Sequence, residues 1–463
     1  MFLYAINDIL LRIGCFTGKC ENKGCKMKKI FKACCAVPLA WRMGIAFVLG
    51  IIGGITVFYL GEHGHTAAAE KIITVISPFG SVLISMLKMI VIPIIFFSLV
   101  SGSASLPLKK FGKIGAMVLA WYFLTSLFAG VFGCVLALLL NPEMDDFLTL
   151  SGKFASDVAS MKMKGAAGGG FAQFLNSLFM NPFQALAEGN FLPVIIFALL
   201  FGIAVRILID REGEESETGR AGNLLLQIFD IAQKASFKII DWIMEYFPIG
   251  VFALTVVNFA TYGAKLFMPY FQITVCVIIG VLLMIFVIYP VFVALFCNEN
   301  PYKILVRIKE AIFTAFLTRS SAATLPFSFK MMDNLNVRRE LSSFSLPLGA
   351  TINMDGVCVH LPVFAILAAN IFGIELSFGQ LAILIVSVVF ASVGAGGIPG
   401  GSVFLLFMVL SNLGLNDMQT STIVALAIGI NPLLDMFETA CNVAGDNVCT
   451  YIVARKNGMI GRK

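Results

Sequence analysis

The sequence predicts an all-α polytopic membrane protein, and three observations carry that prediction. Of its 463 residues, 59% are hydrophobic and only 13% charged, against roughly 25% charged in a soluble chain of ordinary composition. Apolar runs long enough to cross a bilayer recur along the chain, separated by short basic or Gly/Pro-rich breaks. Near the C-terminus the chain reads DMFETACNVAGD, a polar stripe inside a segment otherwise apolar enough to span. Asp435, Glu438, Thr439, Asn442 and Asp446 sit at offsets 0, 3, 4, 7 and 11, one face of a 3.6-residue helix. An Asp, Lys or Arg at the centre of a membrane helix costs roughly 2.5–3.5 kcal/mol. The stripe must therefore look into a protein interior, where cations or polar ligands satisfy it.

Composition excludes several function classes. The net charge is +6 with the basic residues clustered, which reads as membrane topology and not as nucleic-acid binding. Three histidines (His63, His65, His360) with no HExxH or CxxC spacing give no metalloenzyme site. The HGH at 63–65 reads as a loop, and His360, which falls in a membrane segment, is a minor candidate for a functional role. Five of the eleven cysteines (Cys15, Cys20, Cys25, Cys34, Cys35) crowd the first 35 residues among six lysines. Such a basic tail is expected on the cytoplasmic side, where thiols stay reduced, and its spacings fit no familiar metal-ligand pattern. The opening MFLYAINDILLRIG reads as a short interfacial helix, lacking the small-residue cleavage site of a signal peptide.

The elements follow in order. A first span at about 43–60 leaves the basic tail and runs outward. A second, at about 73–106, contains LKMIVIPIIFFSL, with Lys88 free to snorkel or pair and Pro93 set to kink the helix. Lys109, Lys110 and Lys113 mark a cytoplasmic turn, and a third span at about 114–140 carries Thr125 and Ser126 beside Tyr122. Residues 141–180, with GAAGGG and two aspartates, read as an external insertion. NPFQALAEGN leads into a fourth span ending near Leu208, the acidic run at 211–220 is a solvated loop, and a fifth span reaches about Tyr262. A sixth occupies about 271–296, and Lys303, Arg307 and Lys309 return the chain to the cytoplasm. From there FLTRSSAATLP (316–326), GATINMDG (349–356) and ASVGAGGIPGGS (391–402) interrupt the apolar pattern. Gly, Pro and Ser break a helical ladder or compete for it, and non-helical backbone at membrane depth survives only where protein buries it or it lines a cavity. Two broken segments flanking an interrupted helix point to re-entrant hairpins around a midplane site. With the basic end (Arg455, Lys456, Arg462, Lys463) inside, the expectation is eight transmembrane helices plus two re-entrant helical hairpins, both termini cytoplasmic.

TRSSAATLP, NMDG, ASVGAGGIPGG and DxxxTxxNVxGD, in that order, resemble the signature segments of the dicarboxylate/amino-acid:cation symporters, the family of the glutamate transporters. LKMIVIPIIFFSL and NPFQALAEGN also look like family segments, so the resemblance covers about residues 40–455. It implies a glutamate-transporter-like inverted-repeat fold, a homotrimer in the plasma membrane (a bacterial inner membrane), and an elevator in which a static scaffold holds a mobile transport domain. The divisions then fall at 1–42 (tail), 43–106 (scaffold helices), 107–140 (transport-domain helix), 141–180 (insertion), 181–262 (scaffold helices), 263–455 (transport-domain core) and 456–463 (C-terminus).

The resemblance also implies a site. Ser320 and Ser321, with Arg319 beside them, would hold the substrate α-carboxylate through backbone N–H groups, with Thr439 and Asn442 assisting and Asp435 taking the α-ammonium. Two or three sodium sites are implied. Asp446, Asn353, Gly349 and Asn442 resemble the first. Thr351, Ser392, Val393 and Ala395 resemble the second, and Tyr122, Thr125, Ser126, Asn353 and Asp355 the third. Oxygen ligands around buried carboxylates suit a small hard cation. The departures bear on substrate. Glu438 stands where acidic-substrate members place an arginine, Asn431 where they have a supporting aspartate, Val357 where a threonine follows NMDG, and Ser402 at a pocket glycine near Ile398. A carboxylate repels a carboxylate, so glutamate and aspartate are disfavoured. Bacterial sodium/serine–threonine symporters of this family share a similar pattern, and the expectation is sodium-coupled import of a small neutral polar amino acid. The alternatives are a cationic amino acid, whose charge would meet Glu438, or an acidic one; Glu438 could also pair only with Arg319. A channel would be separated from a symporter by concentrative uptake. An intramembrane enzyme using Asp435 and Asp446 is rejected: eleven residues of helix put them about 16 Å apart, too far for paired-carboxylate chemistry.

Overall fold

The computed structural model describes residues 39–104, 108–140, 179–188, 191–393 and 400–461. The cysteine-rich tail, the insertion at 141–178, and Ala395 and Ile398 lie outside these. Among the described residues the chain is helical between short turns, and its one β-bridge joins Val337 to Ile460. The helices are α1 (Leu39–Glu62), α2 (Thr66–Ala104), α3 (Leu108–Leu140), α4 (Pro182–Glu188), α5 (Phe191–Glu212) and α6 (Glu217–Tyr262). There follow α7 (Phe267–Leu283), α8 (Tyr289–Cys297), α9 (Pro301–Thr318), α10 (Ser321–Asn334), α11 (Arg339–Ile352) and α12 (Asp355–Phe372). Last come α13 (Phe378–Val393), α14 (Gly401–Asn412) and α15 (Asp417–Lys456).

Among the described residues seven stretches are long and apolar enough to cross a membrane. One of them, Glu217–Cys297, is 81 residues long, several times the roughly 20 residues a span needs. It turns at Gly263, where φ is +57°, a value that glycine reaches without the Cβ penalty. Another, Arg339–Phe372, is broken where Asn353 and Met354 leave helical geometry between α11 and α12. The second span begins at Thr66, earlier than the hydropathy suggested, because the alanines at 67–69 and Glu70 extend the helix without breaking it. It continues unbroken through Pro93.

Two compact units emerge. The first comprises 39–87 and 235–264. Its helices approach through small residues: a Cβ added to Gly50 would lie 2.7 Å from Thr255 Cβ, and one added to Gly54 2.5 Å from Phe259 Cβ. Glycines four apart are the packing device expected between apolar helices that gain nothing from hydrophobic exclusion in lipid. Arg42 pairs with Glu245 at 3.0 Å and Tyr246 donates to the Phe79 carbonyl at 2.8 Å.

The second unit comprises 88–234 and 265–461. At its centre α12 is buried along its whole length except Asn370, and α3, α7 and α15 pack on it. Gly133 of α3 lies against the Val359 backbone, where a Cβ would be 2.6 Å from the carbonyl oxygen. Lys88, the lysine expected to snorkel or pair, lies over the Phe407 ring, 5.5 Å from its centroid. α9 folds back on α10 through a two-residue turn at Arg319–Ser320, and α13 packs against α14. Neither pair belongs to the seven long stretches; both are the interrupted segments that the sequence marks as hairpins.

Candidate functional site

Four carboxylates are buried among the described residues. Asp435, Glu438 and Asp446 lie on the α15 stripe, and Asp355 opens α12. All four belong to the second unit, and the polar groups around them divide into two clusters.

The first cluster forms where the Arg319–Ser320 turn and Gly400, just before α14, reach α15. Arg319 ends α9 in the left-handed region (φ 55°), and Ser320 then caps α10, its hydroxyl accepting from the Ala323 N–H at 3.2 Å. This turn carries the Arg319 guanidinium to 3.8 Å from Asp435 Oδ2. From the other tip the Gly400 N–H donates to the same oxygen at 3.0 Å. Gly400 has φ +78°, so the donor is aimed by a conformation that favours glycine. Ser402 donates to Asn431 Oδ1 at 3.2 Å, which brings together two of the positions singled out as departures. Thr439 turns its hydroxyl back to the Asp435 carbonyl at 2.7 Å. Ser321 Oγ is buried with no hydrogen-bond partner among the described residues, and Val357 is buried.

Glu438 corrects one expectation. The sequence offered Arg319 as its partner; instead Arg319 goes to Asp435, and the Glu438 carboxylate contacts His360 Nδ1. The reason is a close approach of α12 to α15. A Cβ at Gly356 would lie 2.6 Å from Glu438 Cα, and the Gly356 N–H donates to Asn442 Oδ1 at 2.7 Å. His360 follows one turn later on the same face of α12 and so arrives at the Glu438 side chain.

The second cluster is made of oxygen. Asn353 Nδ2 donates to Asp446 Oδ1 at 3.0 Å, Thr125 donates to Asn353 Oδ1 at 3.2 Å, and Ser126 donates to Asp355 Oδ1 at 2.9 Å. Tyr122, expected among these, gives its hydroxyl to the Ser345 carbonyl at 2.8 Å. It remains beside Gly349, where an added Cβ would be 2.8 Å from Tyr122 Oη and would collide with the Asp446 carboxylate. Tyr289 was not singled out in the sequence, where a tyrosine in an apolar run reads as core. Its hydroxyl donates to Asp355 Oδ2 at 2.7 Å, and it follows a π-helical turn at Met284–Ile288, a distortion frequent at functional sites. Gly445 completes the cradle, since a Cβ there would lie 2.7 Å from both Asp355 Oδ2 and Tyr289 Oη. Asp355 and Asp446 have neutral partners only, whereas Asp435 and Glu438 each face a basic side chain. Two carboxylates held by neutral oxygen and amide groups, with glycines keeping carbon out, form a donor set suited to a small hard cation.

Of the residues expected at a further ion position, Ala395 lies outside the described residues, and Thr351 and Ser392 show hydrogen bonds within their own helices. Thr351 donates to the Pro347 and Leu348 carbonyls and Ser392 to the Val389 carbonyl, each within its own helix, and Val393 lies nearby on α13. Among the described residues no three His, Cys, Asp or Glu side chains gather as a transition-metal site. An open depression of about 410 Å³ near Asn300, Tyr302, Lys303 and Arg307 lies at the start of α9, away from both clusters. It holds no convergent buried polar groups, so the buried clusters are the better candidate.

The model of the Sodium:dicarboxylate symporter family matches residues 39–456, nearly the whole chain and all of both clusters. The chain belongs to that family. It is accordingly a multi-pass membrane symporter and not an enzyme. A proton/sodium-glutamate symport protein of Geobacillus stearothermophilus is 29% identical over 91% of this chain and 95% of its own length. The neutral amino acid transporter B(0) of Bos taurus is 31% identical over 93% of this chain and 81% of its own length. The serine/threonine transporter SstT of Bifidobacterium adolescentis is 29% identical over 91% of this chain and 92% of its own length. The names of these relatives span acidic and neutral substrates at equal similarity, so identity alone does not choose between them.

Proposed function

We propose that this symporter couples sodium entry to the import of a small neutral polar amino acid of the serine/threonine class, by elevator-type alternating access. The observation that supports this most is the arrangement of charge around α15. Arg319 is the one Lys or Arg buried among the described residues, and it stands at Asp435. A substrate with a second carboxylate would find no further buried guanidinium or ammonium there, and would meet Glu438. A zwitterion needs only what the hairpin tips offer. Its carboxylate fits the Ser320–Ser321 backbone and the partnerless Ser321 hydroxyl, its ammonium fits Asp435, and a side-chain hydroxyl fits the polar pair Ser402–Asn431.

Sodium is the natural cargo for the oxygen cluster, with Thr125, Ser126, Asn353, Asp355 and Asp446 as ligands and Tyr122, Gly349, Asn442 and Tyr289 around them. Each charge moving down 100 mV releases about 2.3 kcal/mol, so two or three ions suffice to concentrate a solute strongly. In this reading 43–106 and 181–262 form a static scaffold of a homotrimer, and 107–140 with 263–455 the moving domain. Both termini face the cytoplasm of a bacterial inner membrane.

The test is uptake of labelled serine, threonine, lysine and aspartate by proteoliposomes, with and without an inward sodium gradient. Sodium-driven serine or threonine uptake is expected, and Glu438→Arg should shift preference toward aspartate. Sodium-driven aspartate uptake by the wild type overturns the substrate assignment, and indifference to sodium overturns the coupling ion.

A further inference from the structure

His360 is fully buried in the second turn of α12, and its ring contacts the carboxylate of Glu438, itself 1% exposed. The contact is a charge contact without hydrogen-bond geometry, and none of the four polar atoms of the two side chains has a hydrogen-bond partner among the described residues. The Phe364 ring lies 4.8 Å from the imidazole and adds no polar group. Asp435, one turn earlier on α15, is a second anion, and Arg319 already stands against it. The Asp355 carboxyl is held by Tyr289 and Ser126. A bare carboxylate at Glu438 would therefore be a buried charge without compensation, the arrangement that costs most in a protein interior. His360 is the basic side chain that reaches Glu438.

We infer that His360 sets the charge selectivity of the substrate site by engaging the Glu438 carboxylate, so that the site takes an amino acid with an uncharged side chain and refuses a cationic one. The inference rests on the reading of the hairpin-tip cluster as the substrate site and names what excludes lysine-like substrates from it. His360 acts through Glu438 and is a positioning residue. Its basis is geometric: Gly356 admits α12 to within contact of the Glu438 backbone, which delivers His360 to the carboxylate and to no other acid. With the pair intact, the Glu438 carboxylate is taken up by the imidazole and is not offered to a substrate side chain. Without the imidazole the Glu438 carboxylate is left open to a substrate's cationic side chain.

The experiment compares wild type, His360→Gln, Glu438→Gln and the double variant in proteoliposomes with an inward sodium gradient, using labelled serine, threonine, lysine and aspartate. His360→Gln should raise the KM for serine at least roughly tenfold, as expected when one partner of a buried pair is removed, and should admit lysine. Adding Glu438→Gln removes the uncompensated charge, so the double variant should regain serine uptake and lose lysine uptake. A purely structural histidine predicts the reverse, with the double variant worse than either single one. Elution and thermal unfolding in detergent identify a variant that has not folded, and the double variant, which buries no charge at this pair, keeps the test decidable. If wild type takes serine but His360→Gln neither raises its KM nor admits lysine, or the double variant is not rescued, the inference is overturned. If wild type takes aspartate instead of serine or threonine, the substrate reading beneath it has failed.

Discussion

An alanine at Gly445 probes the oxygen cluster with the least chemistry. Alanine is the better helix former by about 1 kcal/mol, so propensity alone predicts a more stable α15. The site predicts the opposite. The new methyl would stand 2.7 Å from Asp355 Oδ2 and from Tyr289 Oη, and 3.2 Å from Asn353 Nδ2, where non-bonded heavy atoms prefer about 3.5–4.0 Å. The carboxylate and the phenol must part. Overpacking of this kind costs about 1–3 kcal/mol, and the hydrogen bond from Tyr289 to a charged acceptor contributes about 1.5–3 kcal/mol. If about 2–3 kcal/mol of this is lost from the ion-bound state, half-saturating sodium rises about 30- to 140-fold, at 1.4 kcal/mol per tenfold. Two readouts check it: the sodium dependence of uptake, and the sodium-induced rise in unfolding temperature of detergent-solubilised protein without substrate. A Gly445→Ala protein with wild-type values of both would refute the reasoning, because the crowded carboxylate would then not be an ion ligand.

Two further substitutions separate the substrate end and the first unit from the ion end. Gly400→Ala forces a Cβ into φ +78°, at a cost of roughly 1–2 kcal/mol, and disturbs the N–H aimed at Asp435; serine KM should rise about tenfold, and a wild-type KM would argue that this tip does not serve the site. Gly54→Val drives side-chain carbon against Phe259 Cβ and to 2.8 Å from the Val256 carbonyl; thermal unfolding should come earlier, by about 1–3 kcal/mol, with half-saturating sodium unchanged in the protein that remains folded.

The stripe from Asp435 to Asp446 was legible because helical periodicity places its residues on one face and burial cost turns that face inward. The interruptions at 316–326, 349–356 and 391–402 were legible because Gly, Pro and Ser at those densities end helices. Partner choice was not legible. Periodicity states which side of α15 is polar but not which neighbouring helix stands opposite each carboxylate, and the distance between α12 and α15 depends on one residue, Gly356. Without that approach the long arm of Arg319 is the obvious partner for Glu438; with it, His360 arrives first. Tyr289 was hidden for a related reason. Its hydroxyl meets Asp355 from a helix whose sequence is uniformly apolar, and only the π-helical turn before it distinguishes the position.

The two ends of the stripe differ in how their charge is met, and this has a mechanistic consequence. At Asp435 and Glu438 the protein supplies basic groups of its own, so that end can be electrically settled before any ligand arrives. At Asp355 and Asp446 it supplies only neutral donors, and burying those carboxylates is favourable only when something positive joins them. The backbone between the ends is continuous. Asn353 serves Asp446, Asp355 begins α12, and the Gly356 N–H bonds Asn442 on the stripe, midway between Glu438 and Asp446. A cation that fixes Asn353 and Asp355 therefore also fixes the start of α12. That same segment carries His360 to Glu438, so on the proposed reading ion occupancy would set the geometry of the residue pair proposed to sort the substrate.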